Sequence, residues 1–236
     1  YSAAGFKLSV RLSLHDPAKP EKYLGSTDNW KDAEEQLRQL IKSRVADDFV
    51  EALGEAAFYG PKIDFMAKDS LGRQWQVATI QLDMNLPQRF DLTYVTEQGN
   101  EEHVIMLHAA IMGSIERYLS VVIEHFGGNF PLWLSTTQIA IISVGENHHQ
   151  FCKTLSEKLS ENNLRTELFL ENETLGSKIR KVAGQKIPYT IVIGDKELNG
   201  GELNVRVRSQ EQAWTGSIED FITHCTKLVK EKALEL

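Results

Sequence analysis

The sequence predicts two domains of different fold class: an α+β domain built on an antiparallel sheet, followed by an α/β domain with a mixed, mainly parallel sheet. Two observations lead to this prediction. The first 130 residues contain strand patterns joined by short polar turns, together with one mostly apolar helix. The later residues run strand, helix, strand, helix, strand, which implies right-handed parallel crossovers. An aperiodic segment around Pro131 separates the two patterns, so we place the domains at 1–130 and 131–236.

The elements of the first domain follow from hydrophobic period and turn residues. Residues 6–13 alternate apolar and polar side chains, as in a strand with one wet face, and residues 29–44 are apolar at helical spacing behind cap candidates at 26–28. The remaining predicted elements are paired strands 62–67 and 74–82 with a hairpin-type loop at 69–73, strands 90–96 and 104–107, and a helix at 111–126. That last helix is so apolar that we expect it to be covered on most sides.

The second domain alternates predicted strands and helices. Residues 189–193 read as a strand of core character, and residues 202–208 alternate as an edge or partner strand. Ser217 is a candidate N-cap for the last helix, which carries acidic residues in its first turn. The other predicted elements are strands 138–144 and 164–170 and helices 148–161, 175–185 and 217–236.

Composition excludes several classes of protein. Acidic side chains outnumber basic ones by 33 to 26, so any contact with nucleic acid must use local clusters rather than bulk charge. No apolar run approaches the roughly 18 residues that cross a bilayer, and we expect no membrane association. Cys152 and Cys225 lie far apart without a C-x-x-C pattern, which favours buried thiols and a reducing cytoplasm. Because the chain opens with Tyr1 close to a strand, we expect it to be a fragment of a longer protein.

Residues 54–117 combine core-like segments with recurring polar side chains. A buried polar group that lacks a partner costs about 1–3 kcal/mol. So many polar groups in apolar strands therefore suggest that a ligand supplies some of the partners, and we interpret the stretch as half of an active site. The residues concerned are Tyr59, Lys62, Gln76, Thr79, Gln81, His108, Ser114, Glu116 and Arg117.

Several motifs in fixed order carry a family resemblance. GEAAFYGPKIDF, ATIQLD, LHAAIMGSIERY and FPLWLS follow one another through the first domain, and IPYTIVIGDKE and NVRVR follow in the second. Over almost its whole length the chain resembles the threonyl-tRNA synthetase family. The resemblance implies the C-terminal part of a class II synthetase catalytic domain, including the third class motif, followed by an anticodon-binding domain.

The resemblance also implies an activity. Threonine and ATP, with Mg²⁺, would give threonyl-adenylate, and the threonyl group would pass to threonine tRNA. A zinc ion in the amino-acid pocket would hold the substrate's amino and hydroxyl groups, the full-length protein would be a homodimer, and its place would be the cytoplasm.

Site residues are carried over one at a time. His108 matches the third zinc ligand, and the other two family ligands, a Cys and a His, would precede Tyr1. Arg117 matches the ATP-contacting arginine of the third class motif. The other implied positions are Lys62, Gln76 and Thr79 for catalysis and ATP, Tyr59, Gln81 and Ser114 for the amino acid, and Asn172, Arg180, Glu197 and Arg206 for the anticodon. Lys178 and Lys181 could hold phosphate.

Three features depart from a simple expectation. Strand alternation puts Thr79 and Gln81 on one face and Gln76 on the other, unless a bulge intervenes. Ala109 stands where the family usually has arginine, which puts a local charge contact in doubt. The resemblance implies that the first half of the catalytic domain lies outside the chain, so we expect that the chain does not aminoacylate alone.

Two other functions compete with the ligase. A shortened paralogue could keep the anticodon domain and bind tRNA without catalysis, which the substitution at Ala109 favours. The retained Tyr59, Lys62 and Arg117 argue for the enzyme, because a pure RNA-binding module has no need of all three. An unrelated small-molecule-binding α/β protein is disfavoured by the ordered motifs.

Overall fold

The computed structural model describes residues 1–69 and 71–236, so one position of the predicted loop at 69–73 lies outside the described residues. The chain forms two compact units. Unit 1 comprises residues 1–2 and 6–124, and unit 2 comprises residues 3–5 and 125–236.

Unit 1 is built on a five-stranded sheet. Its helices and strands, in chain order, are β1 (Leu8–Leu14), α1 (Thr27–Val45), β2 (Phe49–Leu53), β3 (Lys62–Lys68), β4 (Gln74–Asp83), α2 (Leu86–Arg89), β5 (Thr93–Val95), β6 (Glu101–His103), β7 (Met106–Ala110) and α3 (Ile115–Phe126). The strand order is β2-β1-β3-β4-β7, and the strands from β1 to β7 pair antiparallel. The predicted antiparallel α+β class is therefore confirmed, although β2 joins the edge in parallel to β1.

Helix α1 covers one face of this sheet. The side chain of Ser26 accepts a hydrogen bond from Asn29 N at 3.2 Å, which caps the helix as predicted. Apolar residues one turn apart on α1 pack against alternate residues of the strands. The resulting core consists of Leu12, Leu14, Ala33, Leu37, Ile41, Ile63 and Leu82. The opposite face of the sheet is thereby left for polar side chains.

Three predictions for unit 1 need correction. The strand at 90–96 shrinks to β5, which pairs only with the short exposed β6. The helix predicted at 111–126 begins at Ile115. The expectation that this helix is covered on most sides is wrong, since it buries only Val121 and Val122 while Ile115, Leu119 and Ile123 are each at least half exposed. The helical spacing of apolar residues shows which face of a helix is apolar, but it does not show which other element covers that face.

Unit 2 contains a second five-stranded sheet. Its elements are β8 (Ile139–Ser143), α4 (His149–Glu161), β9 (Thr166–Phe169), α5 (Leu175–Gly184), β10 (Tyr189–Ile193), α6 (Asp195–Leu198), β11 (Leu203–Val207), β12 (Trp214–Gly216) and α7 (Ile218–Glu231). The order is β12-β11-β10-β8-β9. β8, β9 and β10 are parallel, and β11 and β12 are antiparallel additions, so the predicted mixed, mainly parallel sheet is confirmed.

Both faces of this sheet are covered at its centre. Odd-numbered strand residues such as Ile141 and Ile191 pack with α4 and α7, while Ala140 and Ile142 pack with Val182 of α5. Both cysteines are buried and free, and burial raises the pKa of Cys152 to about 11. Among the described residues, no helix combines the length and apolar character that crossing a membrane requires.

Candidate functional site

The sheet face of unit 1 opposite α1 carries most of the predicted site residues. Residues directly opposite each other on paired strands share a face. Lys62 lies opposite Gln81, and Gln81 lies opposite His108 on β7. The polar face defined by these pairings consists of Arg11, Ser13, Lys62, Asp64, Thr79, Gln81 and His108. The tertiary structure thus brings together residues that are spread over about 100 positions of sequence.

A β-bulge adds Gln76 to this polar face. The register between β3 and β4 shifts between Phe65 and Met66, so that Phe65 pairs with Ala78 while Met66 pairs with Gln76. The extra residue reverses the alternation before it. Arg11 Nη2 contacts Gln76 Oε1 at 3.4 Å, which places Gln76 on the same side as Arg11. Simple alternation therefore put Gln76 on the wrong face, and the bulge that we named as the exception is present.

Asp64 is the centre of the hydrogen-bond network on the polar face. Its side chain is fully buried. Ser13 Oγ donates to its Oδ2 at 2.7 Å, and Thr79 Oγ1 donates to its Oδ1 at 2.8 Å. Lys62 Nζ and Arg11 Nη2 each lie 3.0 Å from Oδ2. Burial by itself would raise the pKa of Asp64, but the four donated hydrogen bonds outweigh it and the pKa is lowered.

The lowered pKa predicts how the acid stability of unit 1 depends on Asp64. A carboxyl whose pKa is depressed in the folded state contributes stability above its unfolded pKa of about 3.9 and loses it as pH falls through the folded pKa. We therefore expect wild type to melt above Asp64→Asn at pH 6, and the difference to shrink progressively below about pH 4. Melting curves from pH 6 to 2.5 measure this. Glu55→Gln, at a half-exposed carboxylate 3.9 Å from Arg11, is the control; a Tm difference for Asp64→Asn that is constant with pH would contradict the assignment.

A second cluster lies at the end of β4. Tyr59 Oη donates to Gln81 Oε1 at 2.5 Å, and the Tyr59 ring lies 5.1 Å from the ring of His108. His108 Nε2 lies 2.9 Å from Oδ2 of the fully buried Asp83. Burial, and then the Asp83 carboxylate, raise the pKa of Tyr59, so its hydroxyl stays protonated as a donor. The cluster holds an imidazole and a phenol in fixed positions beside the polar face.

Gly60 and Gly113 let the chain approach β4 closely. A Cβ on Gly60 would lie 1.8 Å from Leu82 O, which no other residue could accommodate without moving backbone. Gly113 has a φ of +63°, and its Cβ would lie 3.1 Å from Val77 O, the residue at the bulge. The turn before α3 is therefore seated on the irregular part of β4.

Ser114 and Arg117 lie at the start of α3. Ser114 Oγ accepts a hydrogen bond from Arg117 N at 3.2 Å, as a helix N-cap does. Arg117 is exposed, and its Nη1 donates to Gln76 O at 3.2 Å. The guanidinium therefore reaches the edge of the polar face near the bulge, and most of its donors remain on the solvent side.

A zinc ion does not fit the residues present. Among the described residues, no three His, Cys, Asp or Glu side chains are grouped so that they could share a metal ion. His108 is one imidazole, and Asp83 already holds its Nε2. Ala109 pairs with Ile80 on the opposite side of β7 from His108, so the missing arginine does not change the polar face itself.

The four residues predicted to contact an anticodon are all in unit 2. Asn172 and Glu197 follow the carboxyl ends of the parallel strands β9 and β10, which lie at one edge of the sheet. Glu197 Oε2 accepts a hydrogen bond from Gly194 N at 3.0 Å. Arg206 of β11 lies opposite Thr190, near the start of β10, and Arg180 is exposed on α5. Glu197 therefore lies beyond the opposite end of β10 from Arg206.

A cavity of about 240 Å³ lies between α5 and the β10–β11 pair, on the sheet face that α5 leaves partly uncovered. Its lining includes Ile179, Ala183, Thr190 and Arg206. The phosphate role for Lys178 is wrong, because its ammonium is buried and donates to Ser143 O at 3.0 Å. Lys181 pairs with Glu173 at the surface.

Four residues at the site were missed from the sequence: Arg11, Ser13, Asp64 and Asp83. Asp64 stands two residues after Lys62 in a strand, so alternation could have placed it on the same face as Lys62. Arg11 and Ser13 share a face for the same reason. Their pairing with β3 across about 50 residues was not readable, because register between distant strands depends on the whole sheet.

Comparison with known proteins agrees with both units. The profile of the tRNA synthetase class II core domain for G, H, P, S and T matches residues 6–126, and that of the anticodon binding domain matches residues 138–228. A threonine–tRNA ligase of Clostridium novyi is 41% identical over 98% of this chain and 36% of its own length. One of Prosthecochloris aestuarii is 38% identical over 99% and 36%. The chain thus spans about a third of the length of these curated relatives.

Solved structures show the same architecture. The RNA binding domain of threonyl-tRNA synthetase from Cryptosporidium parvum superposes with a TM-score of 0.87 at 32% identity, over 96% of this chain and 56% of that one. A putative threonyl-tRNA synthetase from Aeropyrum pernix gives a TM-score of 0.73 at 32% identity, over 97% and 54%.

Proposed function

The chain belongs to the class II tRNA synthetase family of the glycine, histidine, proline, serine and threonine enzymes, and on this premise we propose that it is the C-terminal part of a threonine–tRNA ligase. The observation that carries the proposal is the polar face of unit 1, on which Lys62, Thr79 and Gln81 converge from two strands. Threonine-specific relatives at about 40% identity support the choice of amino acid.

The proposed reaction has two steps. A carboxylate oxygen of threonine attacks the α-phosphorus of ATP, the bond to the β-phosphate breaks, and pyrophosphate leaves. A ribose hydroxyl of the terminal adenosine of tRNA then attacks the threonyl carbonyl, and AMP leaves. Both steps build negative charge on oxygen, so prepositioned donors and cations are the main contribution that a protein can make.

Lys62 and Arg117 would supply the positive charge that stabilises these oxygens in the first step. Lys62 is held at 3.0 Å from Asp64, so its position on the polar face is set before substrate arrives. The guanidinium of Arg117 suits phosphate oxygens and can stack on an adenine ring. Its anchor at Gln76 O places it at the bulge end of β4.

The uncharged groups would orient the amino acid. Tyr59 and Gln81 form one hydrogen-bonded pair, so their free acceptor positions can be offered to the ammonium group of threonine. Thr79 and Gln76 border Lys62 and Arg11 and would fix the adenylate. Ser114 would line the pocket from the start of α3, where its hydroxyl already caps the helix.

His108 is the one predicted metal ligand in the chain, and we assign no step to zinc. Any zinc ion would need further ligands that the described residues do not supply. Magnesium would arrive with the phosphates of ATP. The homodimer of the longer protein and its cytoplasmic location belong to the same proposal, and the two buried free thiols are consistent with a reducing compartment.

The test is threonine-dependent exchange of pyrophosphate into ATP. We would compare the 236-residue chain, with added zinc, with the chain extended by the core segment that the longer relatives carry. We expect exchange only in the extended form. If both are inactive while the chain binds threonine tRNA in a salt-dependent way, the ligase proposal fails and a tRNA-binding paralogue replaces it.

Unit 2 would bind the anticodon of threonine tRNA. Amide, carboxylate and guanidinium groups can hydrogen-bond the exposed edges of unstacked bases. Arg206 is exposed beside α5, and Arg180 is exposed on α5 itself. Asn172 is exposed just before this helix. Glu197 keeps one carboxylate oxygen beyond the one that Gly194 uses. These positions support the assignment of all four residues to anticodon contact.

Replacing Arg206 by alanine tests this surface. We expect affinity for threonine tRNA to fall about 10-fold, within the roughly 1–3 kcal/mol that a base contact contributes. Titration of labelled tRNA by fluorescence anisotropy measures the change. Lys227→Ala, an exposed cation on α7, is the matched control, and an equal loss in both variants would point to bulk charge instead of base recognition.

A further inference from the structure

We propose that Asp64 is a positioning residue of the polar face and that Arg11, which it holds, is a second cation for the ligand. Together with Lys62 they would form a two-cation clamp for an anionic oxygen group, a carboxylate or a phosphate of the reacting substrates. The proposal rests on the proposed function, since it takes the polar face as the substrate site. It adds two residues that the resemblance did not supply.

The geometry comes from one oxygen atom. Lys62 Nζ and Arg11 Nη2 each lie 3.0 Å from Asp64 Oδ2, so the two cationic nitrogens can be no more than twice that distance apart. Two positive groups at such a separation repel each other unless a negative charge lies between them. The Asp64 carboxylate is that charge. It holds both cations at a distance that one bidentate anion can span.

The charge of the clamp is positive. One buried carboxylate faces an ammonium and a guanidinium, so one positive charge is left over. Among the described residues, Arg11 also pairs with Glu55 at 3.9 Å, a carboxylate that is half exposed and therefore screened by water. Lys62 and Arg11 remain partly exposed, with 12% and 23% of their side chains accessible, whereas Asp64 is fully covered. The surplus charge thus faces the side from which a ligand would enter.

The remaining contacts orient the clamp without neutralising it. Ser13 and Thr79 satisfy Asp64 with hydroxyl donors, which carry no charge. Gln76 accepts from Arg11 Nη2 at 3.4 Å. Arg11 Nε is buried with no partner among the described residues, so the guanidinium gives up one hydrogen bond in the position that Asp64 and Gln76 impose. Buried donors without a partner are rare, and each one calls for an explanation.

The first measurement concerns the position of Lys62 without any ligand. We would follow hydrogen exchange of the Lys62 ammonium by ¹⁵N-detected NMR in wild type, in Asp64→Asn and in the control Glu55→Gln. We expect exchange at least 10-fold faster in Asp64→Asn and unchanged in the control. Equal exchange in all three proteins would overturn the positioning role while leaving the proposed ligase function untouched.

The second measurement concerns the ligand. We would titrate the chain, and the extended chain, with a sulfamoyl analogue of threonyl-adenylate and with inorganic pyrophosphate. Asp64→Asn should bind the analogue at least 10-fold more weakly but pyrophosphate no more weakly, because the variant gains net positive charge and loses orientation. Arg11→Met, which keeps Asp64 and Lys62, should weaken the binding of both ligands 3-fold or more. This variant tests the proposal if Asp64→Asn does not fold.

The outcomes separate the two hypotheses. If wild type binds the analogue and Arg11→Met binds it equally well, Arg11 is no part of the clamp and the proposal is overturned. If neither wild-type form binds the analogue, the proposed function itself fails, and the proposal fails with it. In Arg11→Met, a loss confined to the analogue would assign the clamp to the group that joins threonine to the adenylate, and a loss shared by pyrophosphate would assign it to the leaving phosphates.

Discussion

Arg117→Ala in the extended chain is expected to lower the rate of threonine-dependent pyrophosphate exchange by about 100-fold, the usual cost of removing one group that stabilises transition-state charge. The guanidinium is exposed at the start of α3 and donates a hydrogen bond to Gln76 O at 3.2 Å. Its loss should therefore affect catalysis far more than folding. Initial rates at saturating ATP and threonine, with Tm as a second readout, measure both.

Arg89→Ala is the matched control, because Arg89 is an exposed arginine of unit 1 in α2. We expect that variant to exchange pyrophosphate at the wild-type rate. Arg117→Lys should recover only part of the activity, since an ammonium cannot reproduce the planar, bidentate geometry of a guanidinium. Wild-type exchange in Arg117→Ala would remove Arg117 from the proposed machinery.

Asp83→Ala is expected to destabilise unit 1 by about 3–5 kcal/mol, because it leaves several buried donors without an acceptor. Asp83 Oδ1 accepts hydrogen bonds from Asn85 N at 3.0 Å and Leu86 N at 2.9 Å, and Oδ2 contacts His108 Nε2 at 2.9 Å. The carboxylate is fully buried, so water cannot replace it without opening the end of β4. Denaturant melts read out by hydrogen exchange in unit 1 measure the change.

Two further variants serve as references for the destabilisation expected of Asp83→Ala. Asp83→Asn keeps the Oδ1 acceptor and should cost less than half as much. Asp32→Ala removes an exposed carboxylate from α1, where alanine is a good helix former, and should change stability by less than about 0.5 kcal/mol. An effect of Asp83→Ala no larger than that of Asp32→Ala would show that the three hydrogen bonds are dispensable.

Sequence period was sufficient to locate the main elements of both sheets. Residues 62–67 and 74–82 were predicted as paired strands, and β3 and β4 extend each by one residue at the C-terminal end. Apolar and polar side chains alternate in these strands because one face of the sheet packs against α1 and the other does not. This alternation can be read directly from the sequence. The short strands β2 and β12 were missed, since both lie at sheet edges, where fewer side chains need to be apolar.

The roles of the site residues stay predictions, but their arrangement can now be compared with what the sequence indicated. His108 and Gln81 were both chosen as polar groups in apolar segments, and they lie opposite each other on neighbouring strands. Asp64 was overlooked, although it links Lys62 to Thr79, because a single acid in an apolar strand gives no sign of its partners. Two of those partners, Arg11 and Ser13, come from β1, about 50 residues earlier.

The sequence by itself determined the fold class of both units and the polar residue types available to the site, because hydrophobic period and motif order are properties of the chain read in one dimension. Only the tertiary structure decided which of those residues share a face. The bulge at Val77 turned Gln76 toward Arg11, and the register of β1 on β3 set two cations around Asp64. Bulges and register depend on how distant strands close against one another, and that balance is settled only when the whole sheet forms.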